Sequence, residues 1–203
     1  MARPRTDIAP RILHAARARF LADGVDGASL RAIARGAGTS IGMLYYYFPT
    51  KDDLFLAVVE EVYSALLVDL TGALAPDAPV EERLGRLFAR LGAVSDEELT
   101  VLRLVVREAL VSSPRLERLF ERFQRGHLPL LFSALFDGVA EGRIDRRLPL
   151  PVLLIATVAM GGLPQLIRRR AGHLPPFAAL SPPEDLARML VETLFHGIAP
   201  RSD

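Results

Sequence analysis

The fold turns on Ser29–Phe55, SLRAIARGAGTSIGMLYYYFPTKDDLF. Leu30, Ile33, Ala34 and Ala37 recur at the i, i+3, i+4, i+7 spacing of one buried helix face. Ser29 stands just before that face, where a hydroxyl accepts from an otherwise unpaired backbone N–H. Gly36 and Gly38 break the helix, because glycine enters a left-handed turn at little steric cost. Thr39 and Ser40 then offer caps for a second helix that closes in Tyr45, Tyr46, Tyr47 and Phe48. Pro49 disfavours helical geometry at Phe48, and Thr50 caps a further helix from Lys51 whose first turn holds Asp52 and Asp53. Two short helices around a glycine-bearing turn, the second presenting small and aromatic polar groups, form a helix-turn-helix. The motif implies DNA binding.

N-terminal to this stretch, residues 1–5 form a basic arm. A helix is predicted over Thr6–Ala22, with Ile8, Ile12, Ala15, Ala16 and Phe20 inward, Arg11, Arg17 and Arg19 in water, and Asp23-Gly24 as its end. His14 lies beside the apolar stripe as a packing or surface histidine. The net charge of +1 conceals an asymmetry, because residues 1–51 carry eight basic against three acidic side chains, leaving the remainder four negative. A basic end on a mildly acidic body suits a polyanionic partner.

From Ile8 to Leu54 the chain resembles the DNA-binding domain of the TetR/AcrR family of bacterial transcription regulators. The resemblance rests on Ile12-Leu13-His14-Ala15-Ala16, Phe20, Gly24, Ser29-Leu30-Arg31, Ile33-Ala34, Ala37-Gly38 and Leu44-Tyr45-Tyr46-Tyr47-Phe48, with Lys51 and Leu54 after them. It implies that Tyr45, Tyr46 and Lys51 contact phosphates or sugars, and that Ser29, Arg31 and Thr39 help clamp the DNA backbone. Groove geometry adds Ser40, Ile41, Gly42 and Met43, at the N-terminal edge of the recognition helix where base edges are met. One aromatic of the tyrosine run, Tyr47 with Phe48, is expected to be structural.

Downstream, the 3.6-residue period continues almost without alternation, so the whole chain is expected to be all-α with about nine helices. Residues 1–50 are assigned to a three-helix DNA-binding domain and 51–203 to a helical effector-binding and dimerisation domain. Predicted helices span Lys51–Leu74, Val80–Val94, then Ser95–Ser112 with a Ser95/Glu98 capping box. Next come Ser113-Pro114 to Glu141, kinked at Pro129, then Pro149–Arg170 and Glu184–Phe195. The most apolar window, Leu148–Leu166, is broken by three prolines and two glycines and is expected to be a buried helix rather than a membrane span.

The last two helices carry more apolar residues than one stripe needs: Leu153, Ala156, Met160 and Leu163, then Leu186, Met189, Leu190, Thr193 and Leu194. A surplus of this kind suggests a subunit contact, with a monomeric core as the alternative. The family resemblance implies a homodimer closed by two helices from each subunit. In the body, polar groups interrupt apolar faces, and small-molecule pockets are mostly apolar with a few fixed polar groups. Tyr63, Leu66, Leu67, Glu108, Phe123 and His127 are the candidate effector-binding residues, with core packing and one Arg–Glu pair as the alternative.

No catalytic residues, metal site or cofactor are expected. The chain has no cysteine, and His14, His127, His173 and His196 lack metal-ligand spacing. The basic start leads into a charged amphipathic helix, not an apolar signal core, so a cytoplasmic location is expected. These features together predict a ligand-responsive repressor that binds a palindromic operator as a homodimer and is released by a small, largely apolar effector. The alternative is a DNA-binding regulator or architectural protein whose C-terminal domain binds a protein partner. An α-helical enzyme is a third reading, which the absence of clustered acid–base or metal groups disfavours.

Overall fold

The structure, a computed structural model, describes residues 7–111 and 114–197, and among them all regular structure is helical. In chain order the α-helices are α1 (Ile8–Gly27), α2 (Leu30–Gly36), α3 (Ile41–Tyr47), α4 (Lys51–Ala73) and α5 (Val80–Gly92). They continue with α6 (Asp96–Val111), α7 (Pro114–Gln124), α8 (His127–Ala140), α9 (Leu150–Ala171) and α10 (Pro183–His196). The basic arm at residues 1–5, and Ser112 and Ser113 at the predicted helix junction, lie outside the described residues.

The chain divides into two compact units, residues 1–66 with 95–122 and residues 67–94 with 123–203. The helix-turn-helix therefore shares its unit with α6 and α7, and α4 belongs to both units, divided after Leu66. In the first unit Ile12 and Phe20 of α1, Ile33 of α2, Leu44 of α3, Leu54 and Phe55 of α4, Leu99 and Leu104 of α6 and Leu119 of α7 are fully enclosed. Each such side chain contributes about 1.5–3 kcal/mol by leaving water. Phe20 and Phe55 meet edge to face, with ring centres 6.0 Å apart.

Local signals set the ends of these helices. The Ser29 hydroxyl accepts from the Ala32 amide and that of Ser40 from the Met43 amide. Gly38, at φ 62°, makes the left-handed turn between α2 and α3. Thr50 and Asp53 cap α4 reciprocally, the Asp53 amide donating to the Thr50 hydroxyl at 3.0 Å and the Thr50 amide to the Asp53 carboxylate at 3.2 Å. Ser95 and Glu98 form the expected capping box, at 2.6 and 3.1 Å. Gly24, at φ 75°, interrupts α1 where the sequence ends it, and the chain makes one more turn before Ala28.

In the second unit α5 packs against α8, α9 and α10. Leu84 and Phe88 of α5 are completely enclosed, and Gly161 of α9 lies against the Phe88 ring so closely that a Cβ there would collide with it. Buried and half-buried polar side chains tie off backbone carbonyls near helix ends. Arg83 donates twice to the Leu74 carbonyl, at 2.9 and 3.1 Å, and Gln165 donates to the Pro183 carbonyl at 3.0 Å. Arg168 donates to the Gly92 carbonyl at 3.0 Å, and Arg169 to that of Val94.

Two expectations are corrected. The helix predicted from Pro114 to Glu141 is two helices, and the break falls at Arg125-Gly126, not at Pro129. Pro129 sits in the first turn of α8, where its missing N–H has no intrahelical partner to lose. The apolar window of α9 is not buried: only 17% of its most apolar 18 residues is enclosed, at a mean hydropathy of 1.9. Thr157, Gly161 and Gln165 are its buried positions, all small or polar, whereas Val152, Ile155, Val158 and Leu163 are exposed. The composition is long and apolar enough to cross a membrane, yet the inward face is the polar one.

Candidate nucleic-acid interface and effector cavity

The exposed edge of the helix-turn-helix follows from its caps. Ser29 and Ser40 spend their hydroxyls on the amides of Ala32 and Met43, which fixes where α2 and α3 begin. Leu44 is the buried anchor of α3, and Ser40 and Gly42 are exposed with Ile41 and Met43 half-buried between them. A Cβ on Gly42 would meet only the Ser40 hydroxyl, at 3.9 Å, so this edge is open to an approaching surface. Arg31 is exposed and Thr39 half-buried. Tyr46 is 78% and Tyr45 50% exposed, while Tyr47 is half-buried against Tyr46, at 5.3 Å between ring centres, and Phe48. Two tyrosines point outward and one packs, the division expected from the sequence.

Lys51 carries a contact that the sequence does not show. Its ammonium donates to the Asp26 carbonyl at 2.7 Å, tying the start of α4 to the end of α1. An ammonium has three donors, so this bond leaves others to reach outward. Around it lies a charge cluster. Arg115 of α7, only 8% exposed at its side chain, donates its Nε–H to Glu108 at 2.7 Å. Its two terminal nitrogens bridge both oxygens of Asp26, at 2.9 and 3.0 Å, and reach Asp52 at 3.1 Å. Burial opposes the guanidinium charge, but hydrogen bonds to Asp26, Glu108 and Asp52 outweigh it and hold Arg115 above its ordinary value. The same bond from Arg115 holds the Asp26 carboxyl below the usual aspartate range. On the next turns of α7, Arg118 donates to Asp53 at 2.9 Å, and Arg122 holds Glu60 bidentately at 2.7 and 2.8 Å while lying over the Tyr63 ring.

Several of the residues expected to bind an effector are engaged in these contacts. Glu108 is buried on Arg115, and Tyr63 is buried beneath Arg122, both in the first unit. Leu66 is half-buried in the same unit. Leu67, Phe123 and His127 belong to the second, where the Phe123 and His127 rings meet at a tilt, their centres 5.0 Å apart. The second unit holds a cavity of about 310 Å³ that sequence reasoning missed. Leu84, Leu135, Leu148, Val152, Leu153, Ala156, Leu194 and Phe195 supply its apolar lining. Arg143 and Asp145 stand among its lining, and Thr157 is the buried polar group. Its walls come from four helices and the turn before α9, a combination for which no local sequence pattern exists.

The residues expected at a subunit contact fall on α9 and α10. Leu163 and Met189 are exposed, Leu153, Ala156, Met160, Leu190, Thr193 and Leu194 are half-buried, and Leu186 is enclosed within its own chain. Val152, Ile155 and Val158 supply more exposed apolar surface than several of these. The first half of α9 is apolar on nearly every side, so periodicity alone does not single them out.

Residues 12–58 match the family model described as bacterial regulatory proteins, tetR family. Over 166 residues the chain is 30% identical to the HTH-type transcriptional repressor SCO4008 of Streptomyces coelicolor, covering 80% of this chain and 82% of the repressor. It is 26% identical over 138 residues to the uncharacterised HTH-type transcriptional regulator YhgD of Bacillus subtilis, covering 66% of this chain and 70% of YhgD. The crystal structure of the transcriptional regulator FadR from B. subtilis in complex with stearoyl-CoA superimposes with a TM-score of 0.71 at 19% identity, over 94% of this chain and 99% of that one.

Proposed function

Because the chain belongs to the tetR family of bacterial regulatory proteins, we propose that it is a homodimeric repressor whose two helix-turn-helix motifs occupy successive major grooves of a palindromic operator. The observation that carries the DNA reading is the open N-terminal edge of α3 beside two outward tyrosines on the basic end of the chain. In this reading Ser40, Ile41, Gly42 and Met43 meet base edges, and Ile41 and Met43 pack on thymine methyl groups. Tyr45, Tyr46, Arg31, Thr39 and the free donors of Lys51 contact the sugar–phosphate backbone. Ser29 acts through its cap, by aiming the amides that open α2. The exposed strip Val152, Ile155, Val158 and Leu163 meets its own copy across the dimer axis, together with Met189.

The effector is a small, largely apolar molecule, and the cavity in the second unit supports that class. Its volume of about 310 Å³ lies at the low end of the roughly 300–1,000 Å³ of small-molecule pockets, and most of its lining is aliphatic. The stearoyl-CoA bound by B. subtilis FadR makes acyl compounds the first class to test. α4 runs through both units as one helix, so it carries a shift from body to head. The effector must bind the DNA-incompetent state more tightly, since equal affinity for both states shifts nothing.

Fluorescence anisotropy on the intergenic DNA upstream of the gene, with a salt series, tests the reading. Selective binding by two chains per site is expected, with affinity falling steeply as salt rises. Tyr46→Ala is expected to weaken it about tenfold without changing the mass of the free protein in light scattering. Fatty acids and their coenzyme A thioesters of graded chain length are then added to the complex, and release is expected. Sequence-indifferent binding would remove the repressor reading, and a complex that survives the whole series at saturation would remove this effector class.

A further inference from the structure

The charge cluster on Arg115 has a geometry that DNA contact alone does not explain. The helix-turn-helix proper runs from the cap at Ser29 to Phe48. Asp26 lies three residues before it and Asp52 four residues after it. A single guanidinium, from a helix 89 residues away from one partner and 63 from the other, holds both. Lys51 closes the same junction by donating to the Asp26 carbonyl. Behind Arg115 stands Glu108 of α6, 3% exposed, and next to it on α6 is Arg107, whose guanidinium lies over Gly24 where a Cβ would come within 2.6 Å. The entry and exit of the motif are thus pinned to α6 and α7, while the span between them packs on α1 through Ile33, Ala34 and Leu44.

We propose that Arg115 is a positioning residue for DNA binding: its guanidinium clasps the entry and exit of the helix-turn-helix through Asp26 and Asp52, so that the pose of α3 is set by α6 and α7. The proposal rests on the operator-binding reading above. Glu108 keeps Arg115 paired and aimed when the outer carboxylates are removed, because its carboxylate still accepts from the guanidinium Nε–H. The clasp is therefore opened from its outer side. Asp26→Ala with Asp52→Ala leaves the Arg115–Glu108 pair in place, whereas replacing Arg115 strands a buried carboxylate and endangers the fold.

The double variant separates positioning from plain electrostatics by the sign of its effect. Removing two negative charges from the basic end favours DNA binding by Coulomb attraction. Asp23→Ala, which breaks only a surface pair with Arg19 at 3.7 Å, serves as the charge control. The clasp predicts that the double variant loses operator affinity by roughly five- to fifty-fold, within the range of an ordinary coupling between sites, while binding to random DNA holds or rises. Operator affinity that equals or exceeds wild type, in step with Asp23→Ala, overturns the proposal. Amide hydrogen exchange over residues 30–47 of the free protein judges the clasp without DNA. Exchange is expected to be about tenfold faster in the double variant, and unchanged exchange overturns the proposal even if the affinity falls. A wild-type protein that does not distinguish operator from random DNA removes the operator-binding reading, and the exchange measurement still decides the clasp.

Discussion

The two compact units differ in what their interior arginines hold. In the first, the enclosed guanidinium of Arg115 goes to carboxylates throughout, on α1, α4 and α6, and Arg118 and Arg122 continue that pattern along α7. In the second, Arg83, Arg168 and Arg169 place their donors on the carbonyls of Leu74, Gly92 and Val94, at or just beyond the ends of α4 and α5. The carboxylate pairs Arg86–Asp77 and Arg90–Asp69 of that unit lie toward its surface. A carbonyl at a helix end has no intrahelical donor, and the chain cannot rotate it away without unwinding the helix. A carboxylate swings on its own side chain and exchanges one cation for another. The carboxylate contacts of Arg115, Arg118 and Arg122 can be remade, whereas those of Arg83, Arg168 and Arg169 with carbonyls can only be lost.

The largest effect is expected where that difference is greatest. Arg83 is 2% exposed and supplies both donors to the Leu74 carbonyl, with a third bond to Asp137 at 2.6 Å. Arg83→Ala leaves the carbonyl without a partner and opens space under α5, so a loss of about 3 kcal/mol is expected in chemical denaturation. A loss below about 1 kcal/mol would mean that water replaces the side chain, and the contrast between the units would fail at its strongest point.

A second test concerns packing rather than charge. Gly161 of α9 faces the fully enclosed Phe88 ring, and any Cβ there collides with it. Gly161→Val is expected to cost about 2 kcal/mol by overpacking, read as a lower melting temperature, and shortening Phe88 to Leu in the same chain should recover part of it. If the single variant melts with the wild type, α9 sits less firmly on α5 than the carbonyl bonds around it imply.

How far the sequence carried the reading divides along the same line. The caps at Ser29, Ser40, Thr50 and Ser95 and the turns at Gly24 and Gly38 were legible because each is set by residues within four positions. The break at Gly126 was not, because Pro129 is the stronger signal in isolation and only its place in the first turn of α8 makes it harmless. Glu108 showed as a charge on an apolar face, which suits a pocket or an ion pair equally; the structure pairs it with Arg115, seven residues on. The partners of Arg115 on α1 and α4 lie too far along the chain for any window to join them. On α9 the signal failed through excess, since the near-continuous apolar run from Leu150 to Met160 leaves no face distinguished, and the buried positions proved to be the small and polar ones.

The smallest expected effect tests the remade contacts directly. Arg122 and Glu60 form a bidentate pair that is about one-third to one-half exposed, at 31% and 46%, with the guanidinium 4.6 Å from the centre of the Tyr63 ring. Water reaches such a pair, so Arg122→Gln is expected to cost less than about 1 kcal/mol, part of it from the lost stacking on Tyr63. The electrostatic share should vanish near roughly 1 M salt, where the screening length is about 3 Å, and the difference from wild type should shrink accordingly. The loss in Arg83→Ala should persist at the same salt, because a buried hydrogen bond to a carbonyl is screened far less. Equal salt dependence in the two variants would show that both arginines act as charges. The first unit would then owe its capacity to rearrange to something other than its choice of partners.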